Sequence, residues 1–411
     1  MIPSVITDQL EVAVGYIGHG DTGAAPTLRH RREQMSKHFF AEVVCLSANG
    51  QFLAASHFRD AAKRGVVNVF QCVAGRWIPA GKTFEGALPG LYLGNALALS
   101  ADGRTLAIAG DGDKKTSGAV TIYVFHNGCW HRKGRILRGR AATHFGSSVA
   151  LSADGDVVAI GQRSSAGGGT VHVFRYLAGN WVRMGQCLDD AVAEGDFGIA
   201  VSLSGAGDLL AIGANSFNAG RRGSVSIFGY ADQIWHRRGE PLKGGFGEHF
   251  GTAVKLCARG ETVVIGSPSF NDRRGAVYAY RFLCNAWVQL GTTLTGDHPD
   301  AYLGNAVDLS EDGTMLIVGS DGLRNASGAV LVYLFDGSNW IRASDALTGA
   351  EGNSYFGLSV SLSAAGRRIA SANLNVLNAS VVHHFTVEYV PAQPPQVGAV
   401  ARPATPSFAS P

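Results

Sequence analysis

Three side chains in this sequence are placed for proton transfer or metal ligation: His144, Asp196 and His249. Each stands immediately before a Phe-Gly step, a place that Tyr92, Tyr302 and Tyr355 fill before similar steps elsewhere. An imidazole or carboxylate held at such a place offers acid–base or ligand chemistry; packing within a loop is the plainer role. A second group is basic: Lys114, Lys115, Arg221, Arg222, Arg273 and Arg274, joined by Arg59, Lys63, Arg64, Arg163 and Arg324. Gathered on one face, these form a broken cationic rim suited to an acidic protein segment or an anionic glycan. Asp189, Asp190, Glu194, Asp297 and Asp300 partly offset it, and solubility is its plainer role.

Other chemistry is missing from the sequence. No Gly-x-Ser-x-Gly elbow, phosphate-binding loop or HExxH pair occurs. The clusters Gly167-Gly168-Gly169 and Gly244-Gly245-Phe246-Gly247 do not lead into a helix, so they form no helix-dipole phosphate cradle. His383-His384 lies in a strand pattern, where neighbouring rings face opposite sides and do not chelate one ion. The six cysteines show no CxxC pair and read as free thiols. No cofactor and no bound metal are expected.

The elements that would position these residues repeat. Phe145-Gly146 followed by Leu151-Ser152-Ala153-Asp154-Gly155 recurs with anchors at Phe40, Leu93, Phe145, Phe197, Phe250, Leu303 and Phe356, spaced 52 or 53 residues apart. All six tryptophans, Trp77, Trp130, Trp181, Trp235, Trp287 and Trp340, fall 15 or 16 residues before the next anchor. Within a unit, Phe197, Ile199, Val201 and Leu203 alternate with Gly198, Ala200, Ser202 and Ser204, giving a strand with one bulky and one small face. Sheets of that kind stack face to face, the bulky chains of one filling the hollow of the next. Gly makes up 55 of 411 residues, as many tight hairpins require.

Four strands per unit, no helical period and seven anchors predict an all-β fold, a seven-bladed β-propeller of four-stranded antiparallel blades. The last unit lacks its outer strand, because Pro391, Pro394 and Pro395 end the pattern. The N-terminal segment must then close the ring. Gln9–Ile17 is the favoured closing strand, with the basic stretch Thr27–Met35 as the alternative. The predicted organisation is a lead over 1–8, the propeller over 9–390, and a disordered Pro- and Ala-rich tail over 391–411.

The unit Phe145-Gly146, Leu151-Ser152-Ala153-Asp154-Gly155, Val158-Ala159-Ile160-Gly161 and Gly169-Thr170-Val171-His172-Val173-Phe174 resembles the FG-GAP repeat. The resemblance covers roughly residues 39–386 and is shared with the integrin α-subunit propeller. It implies adhesion or ligand recognition. Calcium-binding members carry a run of acids in the first hairpin, whereas Ser100-Ala101-Asp102-Gly103-Arg104 and Cys257-Ala258-Arg259-Gly260-Glu261 offer one carboxylate each. That falls short of the oxygens calcium takes, and the lone Asp is read as stabilising its turn.

These observations lead to an expected function: a monomeric, non-catalytic binding or adhesion module for a protein or carbohydrate partner. The alternative is an enzyme acting on glycans at the channel mouth, with Asp196 and Asp300 or Glu194 as the acid pair to measure. The net charge of +3 argues against nucleic acid as a partner. The sequence holds no apolar run long enough to span a membrane and no apolar leader, so a cytoplasmic location is the default expectation.

Overall fold

The computed structural model describes residues 12–13, 27–34, 41–58, 63–112, 117–141, 143–163, 168–189, 195–215, 222–322, 327–348, 355–372 and 382–390. They form a β-propeller of antiparallel sheets. Six blades are each cut from one continuous run of chain, and a further sheet is assembled from both ends of it. Blade 3 shows the plan. Strand A (Phe145–Leu151) pairs with B (Val157–Arg163), B with C (Gly169–Leu177), and C with D. Strand D is broken into Asn180–Arg183 and Leu188–Asp189, both paired with C, so each of the six continuous blades counts five strands where four were expected.

Nesting depends on missing side chains. A Cβ on Gly161 of strand B would fall 2.1 Å from the carbonyl oxygen of Gly198 in the next blade, and one on Gly213 would fall 2.1 Å from that of Gly251. Only backbone without a side chain allows so close an approach. Around these contacts lie fully buried apolar residues such as Ile160, Phe197, Ile212 and Phe250.

The tryptophans latch one blade to the previous one. Trp130, Trp181, Trp235 and Trp287 donate their indole N–H to the carbonyls of Ala80, Lys133, Met184 and Arg238, at 2.7–2.9 Å. Each acceptor stands just before the glycine that breaks the preceding strand D. A Cβ on Gly134 would lie 2.8 Å from Trp181 Cδ1, so the break is shaped to receive the ring.

The A–B turns are stitched together by backbone hydrogen bonds of 2.8–3.1 Å. Asn49 donates to Ala101, Ala101 to Ala153, Ala153 to Gly205, Gly205 to Ala258, Ala258 to Glu311, Glu311 to Ala364, and Ala364 back to Ala48. The belt returns to its start. Each turn is held by its own residues: Ser100 Oγ donates to Asp102 Oδ1, which also accepts from the Arg104 N–H. The lone Asp is a turn residue, as the sequence suggests.

The composite sheet corrects the favoured closing strand. Thr27–Gln34 pairs with Val382–Val390, in register from Thr27 opposite Val390 to Gln34 opposite His383. Of Gln9–Ile17, the described residues are Val12–Ala13, which pair as an added outer strand beside His30 and Arg29. The physical reason lies in the other D strands, which bury the Trp and leave its neighbours exposed, as in Cys129–Arg132. An outer strand therefore needs no apolar alternation, and charged residues suit an edge. The stretches 1–8 and 391–411 lie outside the described residues, as do 9–11 and 14–17.

Trp181 is 1% exposed and both fills a pocket and donates a hydrogen bond. Trp181→Ala is expected to cost about 3–5 kcal/mol in chemical denaturation. Trp181→Phe, which keeps much of the ring contact, should cost less; equal losses for the two would assign the whole effect to the N–H.

Candidate functional site

Strands A and C run in the same direction, so the D–A and B–C loops share one mouth of the channel. The residues before the anchors sit there in a repeated backbone shape. Tyr92, His144, His249, Tyr302 and Tyr355 all have left-handed φ values between 45° and 55°; Asp196 does not share it. That geometry belongs to the repeat, and it turns each side chain at the start of strand A.

The structure brings His144 together with two residues of other strands. Asp111 directly follows strand B of blade 2 (Thr105–Gly110), and its Oδ2 lies 3.5 Å from His144 Nδ1 and 3.7 Å from an Arg163 nitrogen at the end of strand B of blade 3. All three are partly buried. Burial pushes the Asp111 carboxyl up, and His144 and Arg163 beside it pull back the other way. Asn95 joins from blade 2, its Nδ2 donating to Gly146 O at 3.1 Å. An acid, an imidazole and a guanidinium thus converge where two blades meet.

The other expected residues are dispersed. His249 meets Ser269 Oγ at 2.8 Å, and burial lowers its pKa. Asp196 begins strand A of blade 4 opposite Asn215. Asp300, before strand A of blade 6, forms an ion pair with Arg273 of the B–C loop of blade 5, and Glu194 lies outside the described residues. Of the acid pair considered from sequence, Asp300 is thus engaged by Arg273. Tyr92 lies under the Lys63 ammonium at 5.7 Å. Glu42 is buried, with its carboxylate 3.6 Å from His57.

Of the cationic rim, several described residues make contacts within the protein. Arg273 pairs with Asp300, Arg274 donates to Asp297 O at 2.6 Å, and Arg222 stacks over Phe246 at 4.2 Å. Lys114, Lys115 and Arg221 fall outside the described residues.

Asp111, which carries the site, is not among the residues that the sequence pattern singles out. A signal existed: Tyr92-Leu93-Gly94-Asn95 with Asp111-Gly112 recurs as Tyr302-Leu303-Gly304-Asn305 with Asp321-Gly322. In blade 6, Asn305 Nδ2 reaches Asp321 Oδ2 at 3.4 Å. Burial pushes the Asp321 carboxyl up to about 6.

Deeper in the channel, a cavity of about 240 Å³ is lined chiefly by Ala, Leu, Val and Ser. Its charges are Lys255 and Asp308, 2.8 Å apart, and Glu311 near the turns. Burial alone would lower the Lys255 pKa, but Asp308 holds the ammonium charged and raises it. Asp308 also accepts from the Leu362 N–H at 2.7 Å, and burial pushes the nearby Cys45 thiol up to about 11. The pair fastens strands of neighbouring sheets. All six cysteines are free. No helix among the described residues is long and apolar enough to cross a membrane.

No protein-family model and no curated protein matches the chain. Solved structures do, as folds. Hydrazine synthase of Kuenenia stuttgartiensis aligns with TM-score 0.59 and 13% identity, over 84% of this chain and 96% of that one. A periplasmic gluconolactonase of Pseudomonas aeruginosa aligns with TM-score 0.54 and 13% identity, over 84% and 96%. A structure of RRP9 WD40 repeats aligns with TM-score 0.57 and 12% identity, over 90% and 99%. These likenesses place the chain among β-propellers and do not extend to the FG-GAP or integrin family. They also correct the expected function. Matched propellers that bear the names of lactonases and of hydrazine synthase show that this architecture hosts enzymes, so the reading as a non-catalytic adhesion module, and as no enzyme, is withdrawn.

The Asp321 shift sets a pH window. Its folded pKa, about 6, lies above the ordinary 3.8, so the folded state binds this proton more tightly than the unfolded chain. The ionised carboxyl therefore destabilises the fold, an effect that grows as pH rises from 3.8 and is complete above about 6. Asp321→Asn should melt higher than wild type at pH 8, and the difference should vanish below about pH 4. A constant difference across that range would exclude titration of Asp321 as the cause.

Proposed function

We propose that this propeller is a hydrolase that opens a sugar-derived lactone or ester at the loop-bearing mouth of its channel. The observation that carries the reading is the convergence of Asp111, His144 and Arg163 between blades 2 and 3. Asp111 faces His144 Nδ1, which assigns the proton to that nitrogen and leaves Nε2 as the base. His144 takes a proton from water, and the hydroxide attacks the carbonyl carbon. Arg163 faces the oxyanion that develops. Collapse breaks the bond to the ring oxygen, and the imidazolium, steadied by Asp111, returns its proton to the leaving alkoxide. The product is the open hydroxy acid. The 3.5 Å separation of Asp111 and His144 is loose for a hydrogen bond, as ligand-free sites often are. The likeness to a gluconolactonase supports the substrate class by analogy of fold.

We infer also that the composite sheet is the seventh blade of a closed ring over residues 9–390, with units of the FG-GAP kind. The seven anchors and the belt of turn hydrogen bonds support this. Tyr92, His249, Tyr302 and Tyr355 then border the mouth as substrate contacts.

The test is hydrolysis of a panel of aldonolactones and sugar esters, followed by titration of released acid. His144→Ala and Asp111→Asn are each expected to lower kcat/KM by roughly 10²–10⁴-fold with the melting temperature little changed. A wild-type rate no faster than buffer, or variants as active as wild type, would remove the proposal.

A further inference from the structure

The wall of the channel cavity follows a repeat that two neighbouring blades break. In every sheet the innermost strand ends on a leucine just before its turn, as Leu151, Leu203 and Leu256 end strand A of blades 3, 4 and 5. The residue after it bonds back into the sheet: Ser152 N donates to Val157 O, and Ser204 N to Leu209 O. Alternate residues of an antiparallel edge strand face the other way, so each leucine N–H points away from its own sheet and toward the channel.

A side chain of the preceding sheet usually answers that N–H. Ser202 Oγ accepts from Leu256 at 3.0 Å, Asp308 Oδ2 from Leu362 at 2.7 Å, and Ser361 Oγ from Leu46 at 2.9 Å. The Cys45 sulfur receives the Leu99 N–H, and Asp308 Oδ1 that of Leu309 at 2.9 Å. For Leu151 and Leu203 the residues at this place are Ala98 and Ala150, which have nothing to accept with. Two donors in adjacent blades are thus left to the channel, and Ala98, Ala150, Leu151 and Leu203 all line the one cavity.

Lys255 borders the same cavity from blade 5. An ammonium has three protons to donate. One goes to Asp308 Oδ1 at 2.8 Å, and 39% of the side chain remains exposed within the channel. Asp308 shows which group suits donors of this kind, because its carboxylate meets the Lys255 ammonium and the N–H groups of Leu309 and Leu362 together. Those contacts occupy Asp308, while solvent screens the exposed Glu311 at the turns. A carboxylate brought by a ligand would find the same donor types at Leu151, Leu203 and Lys255, and bonds to a charged acceptor are the stronger ones. The surrounding Ala, Leu and Val residues suit a short apolar body.

We propose that the channel binds a small monocarboxylate with a short apolar tail, its oxygens accepting from the N–H groups of Leu151 and Leu203 and from the Lys255 ammonium. This site shares no residue with Asp111, His144 and Arg163, and it does not depend on the hydrolase reading.

Calorimetric titration of the full chain with butyrate, butyramide and butylamine tests it. Butyrate should bind at least about tenfold more tightly than either of the others. Ala150→Ser gives the Leu203 N–H the hydroxyl that Ser202 gives Leu256, and leaves Lys255 and Asp308 in place. It should keep the melting temperature and weaken butyrate about tenfold. Lys255→Met should abolish binding; because it strands Asp308 and can fail to fold, Ala150→Ser is the deciding variant. No binding of butyrate, butyramide binding as tightly, or unchanged affinity in Ala150→Ser would overturn the proposal.

Discussion

The close approach of bare backbone between neighbouring sheets is the constraint from which the rest follows. Where Gly161 faces Gly198, and Gly213 faces Gly251, there is no room for even one methyl group. This spacing sets the wedge of each blade. It lets a tryptophan reach back to the broken strand D of the previous blade, and it brings successive A–B turns within hydrogen-bonding distance. It also places the end of strand B in one blade beside the start of strand A in the next, which is why Asp111 can meet His144 at all. The site is a product of nesting.

That origin explains the chemical character of the mouth. Among the described residues, two ion pairs there meet across blade boundaries: Asp111 with Arg163, and Asp300 with Arg273. Deeper in, Lys255 and Asp308 balance each other as well.

Most of the architecture was readable because it is periodic and local. The Phe or Leu anchors, the small faces and the turn glycines recur every 52 or 53 residues, and each is fixed within a few neighbouring positions. The site was half readable. His144 drew notice by its place before an anchor, but its partner Asp111 lies 33 positions upstream in another unit, and nothing in a linear pattern joins them. Counting basic residues suggested a cationic rim, whereas the pairing of Arg273 with Asp300 depends on how two loops meet. The closing strand was misjudged because apolar alternation was expected, while the outer strands of this ring bury little beyond their tryptophans.

The sheet shared by Thr27–Gln34 and Val382–Val390 carries a consequence for biosynthesis. The first of these strands to leave the ribosome must wait for a partner made well over 300 residues later. Until then both hairpin edges are open to other chains, and the half-built ring is vulnerable to swapped or clumped products. Once joined, the two strands hold each other through eight registered residue pairs.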